Sequence, residues 1–521
     1  MALPLVIHGQ EAGPATTSSH SSPGEEPVKR FDVWEYRVEG NTVLYRTDVE
    51  RAVYPYLGKD KSIQDIEAAR RALEQRYRDA GYATVLVDIP QQEVENGVVR
   101  LRVTEGKVGR LLVSGSRYFS LQRIRDEVPA LAEGTVPHLP TAQGQLLALN
   151  SKLPDRSVTP VLRPGKTPGT VEVDLKVKDE LPLHGSVDVN DRYSVDTSRL
   201  RLNAMLRYDN LWQKEHSFSL QYQTSPEKFS EVKVWSGTYL ARSADPNNLL
   251  AVYGVHSDSN TATVGTLAVI GKGDIVGARW IMPLAGTQNY SHSLILGVDY
   301  KDFKESVVLQ GADSLNTPIS YMPFVAQYSV TRRSDSATTQ YGASINFGVR
   351  GLYNDTAEFE NKRFNARPDY IFLRANVERD QALYRGVRLR VKLDGQLTDS
   401  PLISNEQFSA GGADSVRGYH ESERLGDDAV QGTVELSSPS LTKGELQELH
   451  ALVFVDGAAL RVRDPLPSQD SHYELSSAGI GLRLQAWRRL TASLDWAQVF
   501  QGTDSVADGD QRIHFDVEYT F

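Results

Sequence analysis

The side chains best placed for chemistry in this chain lie in one glycine-rich stretch, Gln407-Phe408-Ser409-Ala410-Gly411-Gly412-Ala413-Asp414-Ser415-Val416-Arg417-Gly418-Tyr419, followed by His420-Glu421. Glycines there permit a tight reversal, with Arg417 presented near its tip. The stretch falls within 399–428, the longest interval between strand candidates in the chain. Long ordered loops are usually functional. On its residues alone, Arg417 reads as a solvated turn residue and His420-Glu421 as solvated loop residues without a ligand cluster. Catalytic constellations are missing. There is no G-x-S-x-G elbow and no H-E-x-x-H pair, and 265–272 has five residues between its glycines with no Ser or Thr after Lys272, so it is no phosphate loop. The pattern points away from an enzyme and calls for no cofactor and no metal.

Something must hold such a loop. The chain has 521 residues, 24% charged and 40% hydrophobic, with a mean hydropathy of −0.39. No stretch approaches the ~18 consecutive apolar residues of a membrane-spanning helix. A β-barrel remains open, because its polar lumen face hides the hydropathy signal. A net charge of −10 argues against nucleic acid as a partner, and the absence of cysteine fits a cell-envelope protein without disulfides. Residues 10–26, rich in Gly, Ser, Thr and Pro, read as a flexible linker within a 1–29 N-terminal segment. Met1–Gly9 carries no basic leader, so a signal peptide is removed, replaced or truncated here, and no plug helix is expected.

From Phe31 a β-α-α-β-β order appears twice, in 30–105 and 106–180. In the first copy, 31–38 is a strand, 47–57 a short helix, Ser62 and Asp65 a capping-box pair, and Ile66, Ala69, Leu73, Tyr77 and Ala80 one helical face ended by Gly81. Strands at 83–89 and 98–104 follow. The second copy gives strands at 108–114, 158–163 and 170–177 around helices at 121–128 and 141–149. Two copies of one unit of ~75 residues form an internal repeat.

From 181 to 521 the helical period disappears, and sixteen strand candidates follow: 184–193, 200–209, 216–225, 232–242, 249–257, 274–284, 291–303, 321–333, 339–351, 370–380, 386–398, 429–438, 450–460, 478–487, 491–500 and 512–521. In the eleventh, Val387, Leu389, Val391 and Leu393 alternate with Arg388, Arg390, Lys392 and Asp394, and three of those four polar residues are cations, costly towards lipid and natural towards water. Residues 265–270 could make a seventeenth strand, but bacterial single-chain barrels have even strand numbers, which assigns them to a loop or a strand extension. The last strand alternates Ile513, Phe515, Val517, Tyr519 and Phe521 with polar residues and stops on an aromatic. Alone, it fits either the closing strand of an outer-membrane barrel or an edge strand of a soluble sheet. The expected fold class is α+β repeats followed by an all-β 16-stranded transmembrane β-barrel, with a soluble β-sandwich array as the alternative.

The repeats resemble polypeptide-transport-associated (POTRA) domains, and Val416-Arg417-Gly418-Tyr419 matches the VRGY signature of outer-membrane transporters related to the barrel-assembly insertases. With a terminal phenylalanine, residues 30–521 resemble the haemolysin and haemagglutinin secretion/activation proteins, the transporters of two-partner secretion. The resemblance implies a Gram-negative outer-membrane protein with periplasmic POTRA-like domains. It implies a loop folded into the lumen whose Arg417 pairs with an aspartate in an F-x-D-x-G pattern. Phe454-Val455-Asp456-Gly457-Ala458 supplies Phe454 and Asp456, with the glycine one position early. Such a pair in a wet lumen is expected to add only ~0–1 kcal/mol. The resemblance further implies a secreted exoprotein that docks through its N-terminal secretion domain, outer-membrane lipid around the barrel, the barrel-assembly machinery during biogenesis, Tyr519 and Phe521 as a C-terminal strand signal, and a loop that shifts during export. An insertase and a passive pore are the alternatives.

Overall fold

Glu105 and Asp179 occupy equivalent places in the two N-terminal repeats. Glu105 ends the last strand of the first repeat and accepts the amides of Thr42 (2.7 Å) and Val43 (3.0 Å). Asp179 ends the last strand of the second and accepts the amides of Arg117 (2.8 Å) and Tyr118 (2.9 Å) and the Ser116 hydroxyl (2.9 Å). Each carboxylate thereby fixes the turn that follows the repeat's first strand. That turn opens on a left-handed glycine, Gly40 (φ 91°) or Gly115 (φ 88°), where a Cβ would lie 2.3 Å from the Val103 carbonyl or 2.4 Å from that of Val177.

The computed structural model describes residues 29–521 apart from 196, 244, 246, 247, 260, 265, 266, 305, 309–313, 443, 445, 446 and 468. The linker expected at 10–26 and the expectation of no plug helix both concern residues outside those described. The chain divides into two compact units, one ending at Asp179 and the other beginning at Glu180.

In the first unit, each repeat forms a three-stranded sheet with its last strand in the middle. The orders are Glu35–Glu39, Val98–Glu105, Val85–Asp88 and Lys107–Ser114, Thr170–Asp179, Arg156–Pro164. In both, the first strand is parallel to the last and the second antiparallel to it. Helices Arg46–Val53 and Ile63–Asp79, then Leu121–Asp126 and Leu139–Lys152, cover one face. Ile66, Ala69, Leu73 and Tyr77 form the buried stripe that their spacing foretells. The Asp65 carboxylate accepts both the Ser62 amide and its hydroxyl at 2.8 Å, satisfying one of the free donors at the helix start. Gly81 (φ 91°) ends the helix, and its carbonyl accepts the Leu139 amide (2.9 Å), joining the repeats.

The second unit is a closed antiparallel barrel of sixteen strands. All sixteen sequence candidates are present, with ends shifted by a few residues. The eighth strand is broken into Ile319–Tyr321 and Pro323–Arg333, since Pro323 has no N–H to give the ladder. Leu267–Ile270 pairs with Thr261–Val264 as a separate hairpin outside the barrel. Outward positions are apolar and exposed, for example Leu393, Val455, Ile480 and Ile513, as a lipid-facing wall requires. The alternate positions point inward: Arg388 bonds Asp380 and Arg390 bonds Glu378, each at 2.8 Å. Last and first strands close the barrel over five paired positions, Asp516–Thr520 with Asn190–Ser186. Just beyond, the Phe521 amide donates to the Gly185 carbonyl (2.9 Å), and the Phe521 ring fills the space a Cβ on Gly185 would need.

Candidate functional site

The eleventh strand, Arg388–Thr398, and the twelfth, Asp428–Ser437, are joined by a loop with its own hairpin, Phe408–Ala410 against Arg424–Gly426. The loop carries 416–419 into the barrel interior. Val416 and Tyr419 are wholly buried, and Arg417 is 4% exposed.

Arg417 meets the thirteenth strand, Gln447–Arg461. Its Nε donates to Asp456 Oδ2 at 2.7 Å and its Nη2 to Oδ1 at 3.0 Å, while its backbone amide also donates to Oδ2 at 3.2 Å. The guanidinium carbon lies 3.3 Å from the centroid of the Phe454 ring. Residues two apart on a strand share a face, so Phe454 and Asp456 together offer a π surface and a carboxylate to one planar cation. Nη1 reaches Glu435 (3.1 Å) and Asp495 (3.5 Å), and Asp495 is itself gripped by Arg483 at 2.6 and 2.9 Å. A cavity of about 600 Å³ borders this cluster.

The pair is therefore not the exposed contact that a wet lumen suggests. Asp456 is 1% exposed. The loop and Phe454 exclude water from it, and removing one partner of such a pair leaves a buried charge at a cost of about 3–5 kcal/mol. The displaced glycine is also accommodated. Strand register runs unbroken through Gly457 opposite Gly432, and Ala458 turns its methyl inward among Val416, Tyr419 and Leu475.

Gly418 has φ 99°, and a Cβ there would lie 2.8 Å from Val499 Cγ2. Its amide donates to His514 Nε2 at 2.9 Å, while His514 Nδ1 lies 3.0 Å from Asp191. The Tyr419 hydroxyl donates to the Gln501 carbonyl (2.5 Å) and accepts the Ser476 amide (3.1 Å). His420 and Glu421 are not solvated loop residues. The His420 ring stands edge-on to Tyr193 at 5.2 Å, and the Glu421 amide donates to the Tyr193 carbonyl at 3.0 Å. Asp414 pairs with Arg192 at 2.6 Å. The loop thus spans from the thirteenth strand to the segment after the first. Tyr519 and Phe521 lie elsewhere, stacked on the outer wall with centroids 6.5 Å apart.

The sequence reading missed Glu435, Asp495, Arg483 and His514, whose only signal is a polar side chain on the inward face of an alternating strand, and Asp191, which follows the first strand. It also missed the helix Thr356–Lys362, which Asp355 caps by accepting the Ala357 amide (2.9 Å).

Residues 31–106 match the family model of the POTRA domain, ShlB-type, and residues 169–484 match that of the haemolysin secretion/activation protein ShlB/FhaC/HecB. The second match spans more than half of the chain. The chain belongs to that family.

Among curated proteins, the outer membrane transporter CdiB of Dickeya dadantii is 23% identical over 459 residues, 82% of this chain and 76% of the relative. The heme/hemopexin transporter protein HuxB of Haemophilus influenzae is 20% identical over 432 residues, 79% of this chain and 72% of the relative. In fold, CdiB from Escherichia coli superposes with a TM-score of 0.61 at 20% identity, covering 97% of this chain and 93% of that one. BamA from Haemophilus ducreyi lacking POTRA domains 1-3 does so at 0.59 and 16%, covering 94% and 100%. As a ShlB/FhaC/HecB-family barrel, the protein resides in the outer membrane. Sixteen strands return both barrel ends to the short-turn side, which faces the periplasm with the POTRA domains.

Proposed function

We propose that this protein exports a large, unfolded partner exoprotein from periplasm to cell exterior in two-partner secretion. The family match across 169–484 carries this reading, and periplasmic POTRA-type modules supply what a passive pore has no use for. The partner's N-terminal secretion domain docks on the POTRA units by adding a strand at a free sheet edge, such as Glu35–Glu39 or Val85–Asp88. Outer-membrane lipid surrounds the barrel, and the barrel-assembly machinery inserts it by reading the last strand with Tyr519 and Phe521. The likeness to BamA is one of fold and gives the insertase alternative little support.

Arg417 and Asp456 act as the lock of loop to barrel. The pair holds the loop against the wall formed by the last strands, and without it the tip is free to obstruct the lumen. Arg417→Ala is expected to impair export while the barrel still reaches the outer membrane, measured as exoprotein in the supernatant against heat-modifiable barrel in the membrane. Normal export by that variant defeats the lock.

A further inference from the structure

The lumen has two unlike halves. Where strands three to nine face inward, a cavity of about 640 Å³ is lined by Ser219, Gln221, Ser236, Thr238, Gln327 and Ser344. Two arginines among the described residues also line this cavity: Arg279, held by both oxygens of Asp299 at 2.6 and 2.8 Å, and Arg374 of the tenth strand, whose Nη2 donates to the Glu406 carbonyl at 3.2 Å. Inward positions of the tenth to sixteenth strands carry Glu378, Arg390, Glu435, Arg483 and Asp495 instead, and Arg417 binds the loop tip to that charged side, while Glu406 nearer the loop's start takes Lys301 of the seventh strand and the Tyr321 hydroxyl of the eighth, each at 2.6 Å.

At the long-loop end, the same polar strands turn apolar inside. Val234 precedes Ser236 and Thr238 on the fourth strand, and Tyr321 precedes Gln327 on the eighth. With Phe303 and Tyr370 they form a buried cluster. The cluster is plugged by Phe359 of the helix Thr356–Lys362, which lies 5.6 Å from Tyr321 and 6.1 Å from Tyr370 between ring centroids. The residue after this helix, Arg363, grips both oxygens of Asp427 at 2.6 Å. Asp427 is fully buried and also accepts the amides of Leu402 (2.9 Å) and Arg463 (2.7 Å).

We propose that the exported chain threads along the hydroxyl- and amide-bearing wall and leaves by displacing this helical lid, with Arg417 still paired to Asp456. The inference rests on the transporter reading and names the route within it. Neutral hydrogen bonds are weak enough, at about 0.5–1.5 kcal/mol net, to exchange as an extended polypeptide slides past. Charge-assisted ones are roughly twice as strong and would hold it. The ligand is an unfolded polypeptide, and apolar side chains in it can take the place that Phe359 leaves.

The chain has no cysteine, so introduced pairs can be cross-linked cleanly. Asn365→Cys with Asp464→Cys, at side chains 3.1 Å apart, pins the lid. Arg192→Cys with Asp414→Cys, replacing the 2.6 Å ion pair, pins the loop tip. Each is treated in cells with a reducible bis-maleimide. Export is followed for the exoprotein that disappears from the supernatant when the gene is deleted. Each sample is compared with the same variant before cross-linking. The expected result is loss of export with the lid pinned, recovery on reduction, and export maintained with the loop tip pinned. Export through a pinned lid, or its loss with the loop tip pinned, overturns the route. Where the first lid pair itself lowers export, Glu358→Cys with Ser320→Cys replaces it, at a contact of 3.1 Å. Absence of export by the wild-type chain sinks the transporter reading rather than the route.

Discussion

The Gly418 amide donates to His514 Nε2, so that nitrogen holds a lone pair and the imidazole proton sits on Nδ1, towards Asp191. One neutral ring thus ties the signature turn to the last strand and the last strand to the residue after the first. His514→Phe fills the ring's volume but strands the Gly418 amide and leaves the Asp191 carboxylate with the Phe515 amide (2.8 Å) in place of two partners. The stranded amide costs roughly 1–3 kcal/mol. The variant is expected to unfold at lower urea than the wild type, followed by gel mobility in detergent, and to expose the loop to protease first.

Arg417→Ala leaves the buried Asp456 carboxylate without its cation and is expected to destabilise the barrel by about 3–5 kcal/mol, whereas after Asp456→Ala the guanidinium keeps Glu435 at 3.1 Å and Asp495 at 3.5 Å, so the loss should be smaller. The double variant removes both charges and should cost less than the sum. Additive losses would mean that the two residues do not act on one another. Arg417→Lys keeps the charge yet loses the bidentate fork and the flat contact with Phe454, and is expected to behave like the alanine variant in export.

Much of this fold is written locally. Alternation along single strands marks every membrane-spanning segment, and turn glycines such as Gly40 and Gly115 mark both repeats. What stayed hidden depends on partners far away in sequence. Nothing near Arg417 says that Phe454 will cover it, so a buried pair reads as a solvated one. The lid helix is seven residues long, too short for a clear period, and its function arises from apolar residues on the fourth, seventh, eighth and tenth strands that the helix alone brings together. The break at Met322 follows from Pro323, a signal present in the sequence and outweighed by the alternation around it.

In the periplasmic unit, Asp65 and Asp179 are both held below the usual carboxylate range. At Asp65 the Ser62 amide and hydroxyl do this. At Asp179 burial pushes the other way, and the Tyr118 and Arg117 amides with the Ser116 hydroxyl overcome it. Acids with a depressed folded pKa stabilise fully above the unfolded value of about 3.9, and that contribution fades as pH falls through the folded value. Susceptibility of this unit to proteolysis should therefore rise at acid pH. Asp179→Asn should raise it already at neutral pH and flatten the remaining pH dependence.

Gly418→Ala is expected to be worse than its size suggests, because φ is 99° and Val499 stands 2.8 Å from the added carbon. A left-handed alanine alone costs about 1–2 kcal/mol. Export should fall in this variant, and an alanine at Gly351, whose φ is also positive but which has open space around it, serves as the comparison in the same assay.

The most direct measurement is quantitative proteomics of culture supernatant and outer membranes, with and without the gene. The account predicts the loss of one large exoprotein from the supernatant while the other outer-membrane barrels keep their abundance. Depletion of many barrels, or no change in either fraction, would contradict it.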